Sequence, residues 1–345
     1  MICFQFLNAP EKALAAFQEG AKAATQPNTK AKFSYWQGKA LQNLGRTQEA
    51  IQHFEAGTRF AQTFYGQLSF QALNKPFRTT FMATRIDEAS FAKVKTHRNS
   101  EVALLLKALD HDHLIAAFLY RLYYSLKSNK EKSALVEFCH RHLPDFTHDM
   151  SRLWGVVYHD PRTYRFVEGV NAFPDPHFLL AIIRKESGFY ERAKSPAGAC
   201  GLMQVMPETA LKVLSEPISK EAKNAMSKRL RYDPELNIEI GAKYVFTQLE
   251  RFQGDKDIML AGYNAGPLYA FKWIDRYGDP RQHNRNQTNP LQIATDQKDE
   301  EKVALLNRLV WIELIPYEET RNYVKSVRAN EFVYRHLSDS IGVNR

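Results

Sequence analysis

Apolar residues along this chain recur at intervals of three and four, and strict apolar–polar alternation is scarce. That pattern restricts the fold to packed helices. A helix returns to the same face about every 3.6 residues, whereas a strand does so every second residue. Val102, Leu105, Leu106 and Leu109 form one such stripe, and Ile115, Phe118, Leu119 and Leu122 form another. Both stripes are expected to face inward, since an amphipathic helix gains stability by burying its apolar side.

The first third of the chain repeats itself. Residues 12–24 align with 49–61, which sets Phe17 on Phe54, Gly20 on Gly57 and Leu14 on Ile51. Residues 35–46 between the two copies are rich in small and aromatic side chains and end in a turn at Gly45. A helix, a turn and a second amphipathic helix make a hairpin repeat, with an offset close to the roughly 34-residue tetratricopeptide period. Such repeats stack into curved scaffolds. Breakers gather at Pro161, Gly169, Pro174 and Pro176, and the domain boundary is expected near residue 160, giving 1–160 and 161–345. Beyond it, Asp175-Pro176 and Asp233-Pro234 combine a cap with a first-turn proline and predict two helix starts. The second helix is expected to end near Phe252, before Gly254. Shorter helices follow toward Gly266 and Gly278, then a polar loop over 279–300. Two last helices are expected on either side of Pro316.

Composition narrows the function classes. No apolar run approaches the roughly 18–20 residues a membrane helix needs. The formal net charge of +9 favours anionic partners. The Lys and Arg residues are scattered, however, which argues against a nucleic-acid partner. Cys3, Cys139 and Cys200 are far apart and lack metal-ligand spacing, so neither a zinc site nor a disulfide framework is implied. The first residues read Met1-Ile2-Cys3-Phe4-Gln5-Phe6-Leu7 and lack the basic leader of an export signal. Either the protein stays in the cytoplasm or the precursor begins upstream.

One carboxylate stands out. Leu179, Ile182, Ile183 and Glu186 share a helix face, so Glu186 is expected to point inward. Burial disfavours a carboxylate anion and should raise its pKa, and a carboxylic acid protonated near neutral pH suits departure of a glycosidic oxygen. A buried Glu paired with an Arg fits the same stripe. After it, residues 195–201 are small and loop-forming, and Gly201-Leu202-Met203-Gln204 leads into a helix. Gln204 can both donate and accept, as sugar recognition requires. Taken alone, Met203 and Met206 read as core. Tyr263-Asn264-Ala265-Gly266 and Glu319-Thr320-Arg321-Asn322-Tyr323-Val324 complete the set.

In this order and at this spacing, the blocks resemble the catalytic domain of soluble lytic transglycosylases, lysozyme-like muramidases of Gram-negative bacteria. The shared motifs are Glu186-Ser187, Gly201-Leu202-Met203-Gln204, Tyr263-Asn264-Ala265-Gly266 and Glu319-Thr320-Arg321-Asn322-Tyr323-Val324, with Asp233-Pro234-Glu235-Leu236-Asn237-Ile238 as a fifth. The resemblance covers roughly residues 160–340, and the N-terminal repeats look like the family's superhelical scaffold. It implies a mainly α protein, with α-superhelical, tetratricopeptide-like repeats followed by a lysozyme-like α+β catalytic domain.

The resemblance also implies roles. Glu186 is the single catalytic acid and later the base. Ser187, Ser195, Met203, Gln204, Tyr263, Asn264, Glu319 and Tyr323 bind substrate. The reaction is non-hydrolytic cleavage of the β-1,4 bond between N-acetylmuramic acid and N-acetylglucosamine, leaving 1,6-anhydromuramoyl ends. No cofactor or metal is implied. The partner is the peptidoglycan strand and the location is the periplasm. The chain departs from the family pattern at Ala261-Gly262 before Tyr263 and at Cys200. A lysozyme-like hydrolase uses the same acid, and a repeat-type adaptor that binds glycan without cutting it is a further alternative. The N-terminal repeats are expected to be chemically dispensable, so that a fragment starting near residue 160, if it folds, keeps some cleavage of soluble muropeptide chains.

Overall fold

The computed structural model describes residues 9–77, 87–143, 146, 150, 175–282 and 300–341. Among them are sixteen helices. They are α1 (Pro10–Lys22), α2 (Pro27–Asn43), α3 (Thr47–Thr58), α4 (Phe64–Ala72), α5 (Glu88–Lys95), α6 (Arg98–Ala108), α7 (Asp112–Ser125) and α8 (Asn129–His142). After the expected boundary come α9 (Pro176–Glu186), α10 (Pro207–Val213), α11 (Lys220–Tyr232), α12 (Pro234–Arg251), α13 (Lys256–Ala265), α14 (Pro267–Tyr277), α15 (Glu300–Leu314) and α16 (Glu318–Ile341). Extended pairing among the described residues is limited to two isolated bridges, Lys194 with Cys200 and Cys200 with Val205.

The expected helix starts and stops are present. The Asp175 side chain accepts from the Phe178 amide, and Asp233 accepts from that of Leu236. Each satisfies an amide that the helix itself leaves without a partner. Gly45 adopts φ +73° and ends the first hairpin helix. The expected boundary near 160 and most of the expected 279–300 loop lie outside the described residues.

Packing divides the chain into two units, each built from two stretches of sequence: Met1–Thr79 with Thr247–Ala329, and Thr80–Phe246 with Asn330–Arg345. In the first unit the hairpin repeats bury Leu14, Phe17, Trp36, Phe54 and Tyr65, and the two repeat phenylalanines sit in one core. The same core takes in Leu306, Leu309 and Val310 of α15. Its centre is aromatic: the Tyr35 ring lies 5.4 Å from Trp36, 5.8 Å from Phe54 and 5.5 Å from Tyr65.

In the second unit, α5–α8 enclose a core that includes Phe91, Ile115, Leu119, Leu122, Leu135 and Phe138. The stripe on α7 faces inward as expected, with Phe118 at its margin. The stripe on α6 does so only in part, with Leu106 packed against the core and Val102 half-buried. Leu105 and Leu109 are 58% and 56% exposed, while the helix is buried through Ser100 and Ala103. The reason is a close approach on the small-residue side, where the Ser100 hydroxyl donates to the Val94 carbonyl at 2.6 Å.

Candidate active site

Glu186 is the last residue of α9. Residues 178–183 are all buried, so the stripe that singled out Glu186 belongs to a helix whose middle is enclosed on every side. Glu186 itself is half-buried. The chain then turns sharply, with Gly188 at φ +59° and Phe189 at φ +70°. A phenylalanine in the left-handed region is strained, and such strain gathers at functional sites. The turn is held because the Phe189 ring is fully buried edge-on against Tyr334, with centroids 6.4 Å apart. Ser187 is buried and its hydroxyl donates to the Ile183 carbonyl at 3.2 Å, closing the last turn of the helix.

The segment from Ser195 to Gln204 is a tight double turn. The Ser195 hydroxyl accepts from the Ala199 amide at 3.0 Å. Gln204 adopts φ +48°, and its side-chain amide donates to the Gly201 carbonyl at 2.8 Å. Gly201 stands at φ +74°, and a Cβ there would lie 2.2 Å from Asn237 Nδ2 and 2.3 Å from the Leu230 carbonyl oxygen, so only glycine fits. Met203 is fully buried, with its sulfur packed against Gly241, where a Cβ would come within 2.4 Å of Sδ. Met206, which also read as core, is 41% exposed.

The residue that organises this turn is Asn237, which is fully buried in α12. Its side-chain oxygen accepts from the Met203 amide at 2.9 Å, and its Nδ2 donates to the carbonyls of Cys200 at 2.9 Å and Leu230 at 3.1 Å. Nothing in its local sequence marks Asn237 as structural. Its membership of the fifth shared block is the signal that could have identified it.

In the other unit, Tyr263 and Asn264 occupy the end of α13 and are half-buried, before Gly266 stops that helix at φ +97°. The Tyr263 ring is stacked on Tyr323, with centroids 6.4 Å apart and planes 12° from parallel. Tyr323 is only 3% exposed and packs behind the Tyr263 ring. The Thr320 hydroxyl donates to Asn264 Oδ1 at 2.6 Å, which joins the Tyr-Asn and Glu-Thr-Arg blocks. Arg321 reaches back to the carbonyls of Ile315 at 2.5 Å and Pro316 at 3.2 Å, fixing the turn before α16. Glu319, on the first turn of α16, is exposed.

The same unit holds two ionic groups. Asp257 meets Arg328 at 3.1 Å and Arg308 at 3.4 Å, and Arg308 also holds Asp255 at 2.9 Å. Glu313 is paired with Lys32 and with Lys325, the latter at 2.9 Å, and accepts from the Tyr65 hydroxyl at 2.7 Å. Burial alone pushes the Glu313 carboxyl up, but Lys325 and Lys32 together outweigh burial and hold it at about 2.

Residues 170–286 match the transglycosylase SLT domain, and residues 314–341 match the soluble lytic transglycosylase helical domain. The soluble lytic murein transglycosylase of Salmonella typhimurium is 26% identical over 335 residues, which span 92% of this chain and 45% of that protein. Its Escherichia coli namesake is 32% identical over 163 residues, covering 46% of this chain and 20% of its own length. The chain thus spans less than half the length of these relatives. Among solved structures, an inactive mutant of the lytic transglycosylase Slt from Pseudomonas aeruginosa superposes with a TM-score of 0.66 at 23% identity, over 98% of this chain and 50% of that one. The 70 kDa soluble lytic transglycosylase of Escherichia coli gives 0.59 at 24% identity, over 89% of this chain and 46% of its own. At such identities the likeness establishes the fold, and the domain match carries the relationship. Through the SLT match over residues 170–286 the chain is similar to the soluble lytic transglycosylases.

Proposed function

We propose that this protein cleaves the β-1,4 bond between N-acetylmuramic acid and N-acetylglucosamine in peptidoglycan strands without consuming water, and that it does so in the periplasm. The observation that carries the proposal is the place of Glu186: inside the SLT match, at the end of a buried helix, ahead of a strained turn.

Glu186 donates its proton to the bridging oxygen as the bond to the muramoyl C1 breaks, and the glucosamine product departs with its hydroxyl restored. The 6-hydroxyl of the same muramoyl unit then bonds to C1, assisted by the substrate's N-acetyl group, and its proton returns to Glu186. The acid is regenerated and a 1,6-anhydro ring is formed. Most glycosidases need a second carboxylate to activate water or attack C1. An internal nucleophile removes that need. Ser187, Ser195, Met203, Gln204, Tyr263, Asn264, Glu319 and Tyr323 are proposed as substrate-binding residues, some by direct contact and the buried ones by supporting their neighbours. These residues all lie beyond residue 160, so residues 161–345 are proposed as the catalytic portion and 1–160 as helical scaffold.

Mass spectrometry of digested sacculi tests this reading. Anhydromuramoyl ends, one water lighter than reducing ends, are expected. Reducing ends would make the protein a hydrolase, and binding without cleavage would make it an adaptor.

A further inference from the structure

Four side chains from four helices meet at Glu313: Lys32 from α2, Tyr65 from α4, Lys325 from α16 and Glu313 itself near the end of α15. The Glu313 side chain is 3% exposed. One carboxylate oxygen accepts from both Tyr65 and Lys325, and the other accepts from Lys32. The Lys325 ammonium also lies 5.8 Å from the centre of the Tyr65 ring. Burying charge in this way adds little net stability, since desolvation offsets the attraction, but it penalises every arrangement in which one partner is missing. Such a cluster specifies position more than it stabilises.

What it positions is the start of α16. That segment is held by Arg321 on the Ile315 and Pro316 carbonyls, by Thr320 on Asn264 and by Lys325 on Glu313. Glu319 and Tyr323 lie among these anchors, and Tyr323 in turn backs Tyr263. Of the three anchors, only the one at Glu313 is completed by residues from the N-terminal repeats.

We propose that the N-terminal repeats are a positioning element for the glycan-binding residues of α16, acting through Lys32 and Tyr65 on Glu313 and Lys325. Lys32 and Tyr65 are positioning residues, since neither is placed against substrate. The inference rests on the transglycosylase reading for its catalytic consequence and on geometry alone for its structural one. The charged and titratable groups facing Glu313 are Lys32, Tyr65 and Lys325, with Tyr35 beside Tyr65 and Arg321 acting on Lys325. With Lys32 removed, one of the two ammonium groups that hold the Glu313 carboxyl down is lost, so its pKa rises.

The test compares full-length wild type with Lys32→Met, Lys32→Arg and Tyr65→Phe, on a short soluble glycan across a pH series. In parallel, amide hydrogen exchange is followed over residues 318–325, with residues 88–142 as an internal control. Lys32→Met is expected to lower kcat/KM by roughly tenfold to 10²-fold, the scale of a misplacement of about 1 Å. It should also add an acid limb to the pH profile and speed exchange at 318–325 without changing the control helices. Lys32→Arg should restore most of the rate, and Tyr65→Phe, which keeps the packing, should show the same effects in weaker form. Unchanged kcat/KM, pH profile and exchange in a folded Lys32→Met protein would overturn the proposal. If wild type forms no anhydro product, the transglycosylase reading fails and the catalytic consequence with it. The exchange comparison then decides the structural claim separately, and equal exchange at 318–325 and in the control overturns that claim too.

Discussion

Asn237 accepts from the Met203 amide at 2.9 Å and so ties α12 to the turn that carries Gln204. The same side chain donates to two backbone carbonyls, so three main-chain groups depend on it. Each buried group left without a partner costs about 1–3 kcal/mol. Asn237→Leu is expected to destabilise the protein by about 3 kcal/mol or more, read as a lowered denaturation midpoint with unchanged slope. A loss below about 1 kcal/mol would mean that the turn is held by other contacts.

Replacing Glu186 separates chemistry from folding. Glu186→Gln keeps the shape of the side chain but cannot donate the proton, so turnover is expected to fall by at least about 10²–10⁴-fold at unchanged thermal stability. Activity above a tenth of wild type would remove Glu186 from its assigned role.

Cutting the chain near residue 160 should do more than remove a scaffold. The repeats share a core with Leu306, Leu309 and Val310, and exposing each of these side chains costs about 1.5–3 kcal/mol. The sum is comparable with the whole stability of a typical domain, about 5–15 kcal/mol. The dispensability expected from the sequence holds only for a fragment that folds, and this shared core is what such a fragment lacks. A fragment starting near 160 should bind a hydrophobic dye and lose helical signal at lower temperature than the full chain. A cooperative melt at the full-length temperature would refute this.

Acid should weaken the first unit at Glu313. The folded carboxyl titrates at about 2, below the ordinary value of 4.5, so the native state binds this proton less readily than the unfolded chain. The resulting stability is therefore fully present above about 4.5 and is lost as pH falls toward 2. Glu313→Gln should flatten that part of the stability profile while lowering stability at neutral pH. Parallel profiles for the two proteins between those limits would show that Glu313 is not the group responsible.

Helix ends and motif blocks were legible in the sequence because they depend on local chemistry. A capping carboxylate ahead of a proline, as at Asp175 and Asp233, or a left-handed glycine, as at Gly45, acts over a few residues whatever the surroundings. Facing was less legible. The stripe on α7 and that on α6 look alike, but α6 packs through Ser100 and Ala103 and leaves Leu105 and Leu109 exposed. Periodicity reports that a helix has an apolar side, not which neighbour comes closest. The joining of Met1–Thr79 to Thr247–Ala329, the meeting of Lys32 with Glu313 and the hold of Asn237 on Met203 were decided only in the tertiary structure. Each brings together residues far apart along the chain, and such pairings are set by the packing of whole helices, which leaves no periodic trace in either partner's own sequence.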